Sequence, residues 1–135
     1  MIRRQLINFQ NRSVDVRVGL GAFDELSRMF ASAVGKPKRA MVVWNSASSE
    51  RFDEVVEHAL VDAGFAVSQF SLEVSPAGAT LADADAIFGA LSANGITCDD
   101  LVVAVGDAAT CSVVSWCANQ WCGRTECALL PTTFD

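Results

Sequence analysis

Basic residues, histidine and long apolar runs are all scarce in this chain. Lysine and arginine number 10 against 16 acids, giving a net charge of −6. No basic cluster stands out. Phosphate backbones are held by clustered Lys and Arg, so the sequence argues against a nucleic-acid partner. No apolar run approaches the roughly 18–20 residues that cross a bilayer, which argues against a membrane partner. The start, MIRRQLINFQNRSVDV, has Arg3 and Arg4 but no continuous apolar stretch behind them, so it does not read as a signal peptide. A cytoplasmic protein is expected.

Metal-ligand spacing is missing too. Cysteines stand at 98, 111, 117, 122 and 127, with no CxxC pair, and the single histidine, His58, is far away in sequence. That pattern argues against a zinc site, and an odd cysteine count argues against a complete disulfide framework. The cysteines are expected to be mostly small buried hydrophobes in a reducing compartment. His58 falls off the apolar face of its helix and is expected in solvent.

What is present is apolar and regularly spaced. Of the 135 residues, 51% are hydrophobic and 19% charged, enough for one domain with a real core and too apolar for disorder. NFQNRSVDVRVG reads as a hairpin: Val14, Val16 and Val18 alternate with polar residues, and Asn11-Arg12-Ser13 supplies the turn. FDELSRMFASAVG reads as a helix with Phe23, Leu26, Met29, Phe30 and Ala33 on one face, stopped by Gly35 and Pro37. SERFDEVVEHALVDAG is a second helix, with Phe52, Val55, Val56, Ala59, Leu60 and Ala63 inward. TLADADAIFGALSANG is a third, with Leu81, Ala84, Ile87, Phe88 and Leu91 inward and Thr80 as N-cap. ATCSVVSWCANQW is a fourth. Between them RAMVVW, FAVSQFSL, LVVAV and CALLP read as strands.

Strands alternating with helices predict an α/β fold: a Rossmann-like, mostly parallel sheet flanked by helices, preceded by the N-terminal β-hairpin, in a single domain over 1–135. No internal repeat, low-complexity tract or linker interrupts it. Ligands of such sheets sit at the carboxyl ends of the strands. That singles out Asn45, residues 74–80, Gly106 to Ala109, and Pro131 to Thr133. Asp107, just before a helix, is expected to cap it. Thr132 and Thr133 suit either a cap or a nucleotide contact. Trp116 and Trp121 read as core or interface anchors. The acids of DADA and the Asp99-Asp100 pair read as solvated groups on a helix face and at the start of a strand.

VGLGAFDEL, AMVVWN, SPAGATLADADAIFGAL, LVVAVGD and LLPTTFD, in this order, resemble the N-terminal nucleotide-binding domain of the 3-dehydroquinate synthase family. The relation to glycerol dehydrogenases and iron-dependent alcohol dehydrogenases is more distant. Pro131-Thr132-Thr133 is the most specific piece, at the family's distance from the glycine turn at Gly106. The resemblance implies a lyase of the shikimate pathway, serving aromatic amino acid biosynthesis with NAD and a divalent metal. It implies cofactor-binding positions at Asn45, Gly106, Asp107, Ala108, Thr132 and Thr133. Most are substituted. Asn45 replaces a ribose-binding aspartate, and Gly106-Asp107-Ala108 replaces a triple glycine. Pro76 and Ala79 replace a glutamate and a lysine. Ser112, Cys98 and Cys122-Gly123-Arg124 replace an aspartate, an arginine and an Arg-Gly pair.

The family's metal ligands and most of its substrate contacts belong to a C-terminal helical domain absent from these 135 residues. No catalytic or metal-binding residue is therefore expected here, and the chain reads as a truncated piece, inactive alone. A carboxylate at 107 would repel a pyrophosphate, since like charges about 4 Å apart cost about 4 kcal/mol at an effective dielectric near 20. Three functions are in contention. One is a dehydroquinate synthase-like N-terminal domain; another is a pseudoenzyme or interaction domain that has lost NAD; the third is a small-ligand binding module that keeps only Asn45 and the Pro131-Thr132-Thr133 edge, for a neutral or less charged ligand. The expected partner is a second copy, making a homodimer, or a catalytic C-terminal domain.

Overall fold

Leu101–Gly106 carries no charged side chain, and all six of its residues are buried. Only a strand covered on both faces is built this way. In the computed structural model, which describes residues 1–33, 39–47, 52–75 and 77–133, it is β5, an inner strand of a four-stranded parallel sheet. The sheet order is β4-β3-β5-β6, with β3 at Arg39–Asn45, β4 at Ala66–Leu72 and β6 at Glu126–Pro131. Helices α1 (Leu26–Ala33) and α2 (Asp53–Asp62) cover one face; α3 (Leu81–Ala93) and α4 (Ala108–Gln120) cover the other. The expected α/β architecture is therefore present.

The strand parity divides the core in two. Ala40, Val42, Leu101 and Val103 meet Leu26, Phe30, Val56 and Leu60. Met41, Val43, Val102 and Ala104 meet Ile87, Leu91, Val114 and Cys117. Burying each large aliphatic side chain contributes about 1.5–3 kcal/mol, so both layers are needed to offset the entropy of ordering the chain. From β3 the chain steps outward to β4, then returns past β3 to β5. The order reverses between β3 and β5, and the crevice at their carboxyl ends is where such sheets bind ligands.

The N-terminal hairpin, β1 (Arg3–Phe9) with β2 (Arg12–Val18), is a separate antiparallel sheet. Phe9 pairs directly with Arg12, so the turn is Gln10-Asn11, and Arg12 and Ser13 already lie in β2. The expected turn was one residue late, because polar composition alone does not fix a register. Val55 and Leu81, expected inward, are 50% and 81% exposed. Val55 sits at the margin of its helical stripe. Leu81 lies in the first turn of α3, held at the rim by a capping box in which Thr80 and Asp83 bond reciprocally. Gly35, Pro37 and Ser49 to Arg51 lie outside the described residues. Among the latter, no helix is long and apolar enough to cross a membrane.

Asp100, expected in solvent, is only 2% exposed. Its carboxylate accepts from the Arg39 N–H at 3.1 Å, the Thr97 N–H at 2.8 Å and the Thr97 hydroxyl at 3.0 Å. It thereby ties the start of β3 to the turn that launches β5. The cysteines also divide. Cys111 and Cys117 are buried and Cys127 is partly buried, whereas Cys98 and Cys122 are exposed. Burial pushes Cys117 up to about 11. Burial, then the Asp107 carboxylate, pushes Cys111 up to about 11. Burial, with smaller contributions from Cys111, Glu126 and Cys117, pushes Cys127 up to about 12.

Asp100→Ala should lower the free energy of unfolding by about 1–2 kcal/mol, since it removes the buried carboxylate that accepts from three part-buried donors; urea titration measures this. The raised thiols stabilise the fold below the unfolded cysteine value and lose that contribution as pH rises. Stability should therefore fall between the ordinary 9.0 and about 11. A thiol-labelling reagent at pH 8 should modify Cys98 and Cys122 quickly, and the other three only on unfolding. Fast labelling of Cys111 in the folded chain would contradict the packing.

Candidate functional site

The crevice between β3 and β5 is built from the last residue of each strand. β3 ends at Asn45, which is 6% exposed. Its amide nitrogen donates to the Val74 carbonyl at 3.1 Å, and its oxygen accepts from the Ala47 N–H at 3.0 Å. An Asn side chain that closes a turn on the N–H two residues ahead is a common local solution. Here the same side chain also anchors the segment after β4.

β5 ends at Gly106. Its carbonyl accepts the Thr132 N–H at 2.9 Å, extending the β5–β6 ladder beyond the Gly106↔Pro131 pair. A Cβ at 106 would stand 3.1–3.2 Å from the Thr110 side chain, which would have to give way, and the φ of 157° is one that side-chain-bearing residues rarely adopt; both favour glycine. Asp107 is the N-cap of α4. One carboxylate oxygen accepts the Thr110 N–H at 2.9 Å and the Thr110 hydroxyl at 2.7 Å. Thr110 itself is fully buried. Ala108, the first residue of α4, is exposed, as is Thr133; Thr132 is half-buried.

These positions therefore gather at one end of the sheet. Asn45, Gly106 and Thr132 line a single space, together with Trp44, Phe52, Asp53 and Val105. Asp107 and Ala108 stand beside it at the start of α4. The space is about 10 Å³, the room of one water molecule. Ala79 lies in the loop before Thr80, and Pro76 is outside the described residues. Ser112 is exposed on α4.

Cys98 and Cys122-Gly123-Arg124 lie at the opposite end of the sheet, where strands begin. There the Trp121 indole N–H donates to the Ile96 carbonyl at 2.7 Å, and the Thr125 hydroxyl donates to the Thr97 carbonyl at 3.3 Å. Cys122 takes a left-handed conformation with φ of 51°. Arg124 is 3.9 Å from Glu126.

Chemically the crevice offers a helix terminus whose Thr110 N–H is already capped by the chain's own carboxylate. A dinucleotide pyrophosphate is held by free N–H groups at a helix start, where the dipole favours negative charge. Here the Asp107 carboxylate already occupies the Thr110 N–H and brings its own negative charge to that terminus. Asn45 is engaged at both ends. The residues present do not suit a pyrophosphate. Among the described residues, no group of three or more His, Cys, Asp or Glu side chains could hold a metal ion. The Cys111 thiol, 3.8 Å from the Gly106 carbonyl, is buried, and burial with the Asp107 carboxylate pushes it up to about 11, which disfavours the thiolate. Sequence reasoning identified the Asp107 cap but not its reach to the Thr110 hydroxyl. The D-x-x-T spacing was the available signal.

No family model and no curated protein matches the sequence. Solved structures do match in shape. A crystal structure of 2-deoxy-scyllo-inosose synthase superposes with a TM-score of 0.84 at 15% identity, over 97% of this chain and 36% of that one. The same enzyme complexed with carbaglucose-6-phosphate, NAD+ and Co2+ gives 0.77 at 17%, over 96% and 35%. ValA, the 2-epi-5-epi-valiolone synthase of Streptomyces hygroscopicus subsp. jinggangensis 5008 with NAD+ and Zn2+ bound, gives 0.63 at 17%, over 76% and 28%. These neighbours are dehydroquinate synthase-like sugar phosphate cyclases. The chain spans about a third of the length of the first two. At these identities what is shared is the fold: the helix-covered parallel sheet and its leading hairpin are an architecture such cyclases use.

Proposed function

We propose that this chain is a dehydroquinate synthase-like N-terminal domain that does not hold NAD tightly and turns over no substrate by itself. In this reading it belongs to the shikimate pathway, in the cytoplasm, and serves aromatic amino acid biosynthesis through a partner that carries the catalytic groups. The observation that carries the proposal is the Asp107 carboxylate, bonded to the Thr110 N–H and hydroxyl at the helix terminus where the fold would receive a pyrophosphate. The NAD carried by one inosose synthase structure and by ValA supports a cofactor role for this architecture in those proteins. Asp107, Ala108 and Asn45 are the residues of this chain that argue against the same role here.

A second reading, a pseudoenzyme kept as an interaction domain, is favoured by one surface. Trp116 is 49% exposed on α4, with its ring 6.0 Å from that of Phe88. Trp121, whose ring lies 5.9 Å from Phe88, is instead fixed inward by its bond to Ile96. A half-exposed tryptophan against a second aromatic is a typical anchor for a partner. The partner in this reading is a second copy or a catalytic C-terminal domain.

Calorimetric titration with NAD up to millimolar should give no heat from a chain that still unfolds cooperatively. Micromolar binding would overturn the proposal. Asp107→Ala should cost about 1 kcal/mol of stability, the usual worth of an N-cap, and any NAD binding that emerges should emerge in this variant first. If the α4 surface is the interface, sedimentation should show a dimer that Trp116→Glu dissociates without lowering the melting temperature. A monomer at high concentration would leave the copy-to-copy form of the second reading without support.

A further inference from the structure

The N-terminal hairpin meets the rest of the described residues through a few groups, Arg17 to Glu25 among them, and lies outside the core. None of its side chains belongs to either core cluster. A two-stranded hairpin is marginal on its own, and here an ion-pair chain, not packing, steadies one face. Arg4 and Arg17 both meet Asp15 at 3.1 Å, and Arg17 reaches Glu25 at 3.2 Å. Directly paired residues share a face of a hairpin. The register therefore puts Arg3, Ile7, Phe9, Arg12, Val14 and Val16 together on the opposite face. Ile7, Phe9 and Val14 are exposed.

Charge and shape are both distinctive there. Residues 1–18 hold four arginines against one aspartate, a net of +3 on a chain whose total is −6. The two arginines of the apolar face lie at its ends. Arg3 begins β1, and Arg12 is paired across from Phe9, with its guanidinium 5.4 Å from the Phe9 ring centre. They are six strand steps apart, about 20 Å. Beyond Arg12 an open cleft of about 480 Å³ is lined by Phe9, Gln10, Asn11, Arg12 and Arg124, adding a third guanidinium at that end. Among the described residues β1 pairs with β2 alone, and all seven of its residues are exposed.

We propose that this hairpin is a docking site for an extended, acidic and apolar protein segment. The segment adds to the β1 edge as a third strand. Its apolar side chains lie beside Ile7, one carboxylate meets Arg3, and another, six residues along, reaches past Phe9 toward Arg12 and Arg124. Strand addition supplies main-chain hydrogen bonds for affinity, and the alternating side chains set specificity. A second copy of the hairpin is the poorer occupant, because it would bring another net +3 against the first. The proposal is independent of the NAD crevice, which lies at the carboxyl ends of β3 and β5.

The probe is a labelled, end-blocked heptapeptide, Glu-Thr-Val-Thr-Val-Thr-Glu, followed by fluorescence anisotropy and by backbone amide shifts. The control peptide carries Lys in place of Glu. Binding should perturb the amides of β1, and should weaken about tenfold on going from low to moderate salt, as exposed charge pairs do. It should weaken at least as much in the double variant Arg3→Glu, Arg12→Glu, whose melting temperature should match the parent because both residues lie outside the core. Three results would overturn the proposal: equal binding of the Lys peptide, no binding of the Glu peptide at millimolar concentration, or shifts confined to residues away from β1. A concentration-dependent dimer that perturbs β1 and is altered by the double variant would overturn it as well, and would assign the face to a second copy.

Discussion

The burial of β5 on both faces is the constraint from which the rest of the structure follows. Its residues offer no polar side chain to either side, so helices must cover the sheet above and below. That requirement places α1 and α2 on one face and α3 and α4 on the other, and it makes the chain double back between β4 and β5. The reversal opens the crevice between Asn45 and Gly106. A functional position is thus a by-product of packing: any sequence folding this way has a crevice there, whatever its side chains can bind.

What this sequence does with the crevice is to close it with its own groups. A helix start leaves N–H donors without partners, and a cyclase neighbour that carries NAD uses the same architecture. Here Asp107 caps the Thr110 N–H locally, Asn45 bonds at both ends to its own backbone surroundings, and Gly106 packs closely on Thr110. Asp107 and Asn45 each make bonds that the fold uses. The site therefore reads as a polar joint that holds three loops together. That accounts for an intact scaffold beside a poor donor set without appeal to neglect or decay.

The fold was legible because its signals are continuous and redundant. RAMVVW and LVVAV are apolar on both faces, and the helices repeat their stripes over three or four turns. Where a single residue decided, the reading slipped. Asn11-Arg12-Ser13 is as polar as Gln10-Asn11, and only cross-strand pairing distinguishes them. Leu81 continues a stripe whose neighbouring surface ends one turn earlier. Asp100 looked solvated beside Asp99, yet it meets donors from Arg39, 61 residues away in sequence, which no local pattern reports. At the site, the Asp107 cap is a three-residue interaction and could be read directly. The double engagement of Asn45 depends on Val74, 29 residues on, and could not.

The hairpin and the sheet illustrate two ways of disposing of apolar surface. In the sheet, Val42, Val43, Leu101, Val102 and Val103 are buried within the chain, and their burial stabilises the fold. In the hairpin, Ile7, Phe9 and Val14 contribute less to folding, because they remain exposed and belong to neither core cluster. Exposed apolar side chains flanked by arginines on an open strand edge leave the surface prone to pairing with other chains unless it is occupied or charged. The arginines meet that hazard by repelling like copies, and the same charges select an acidic partner. Function in this molecule is thus better sought at its positively charged, unburied strand edge than in the crevice its fold makes conspicuous.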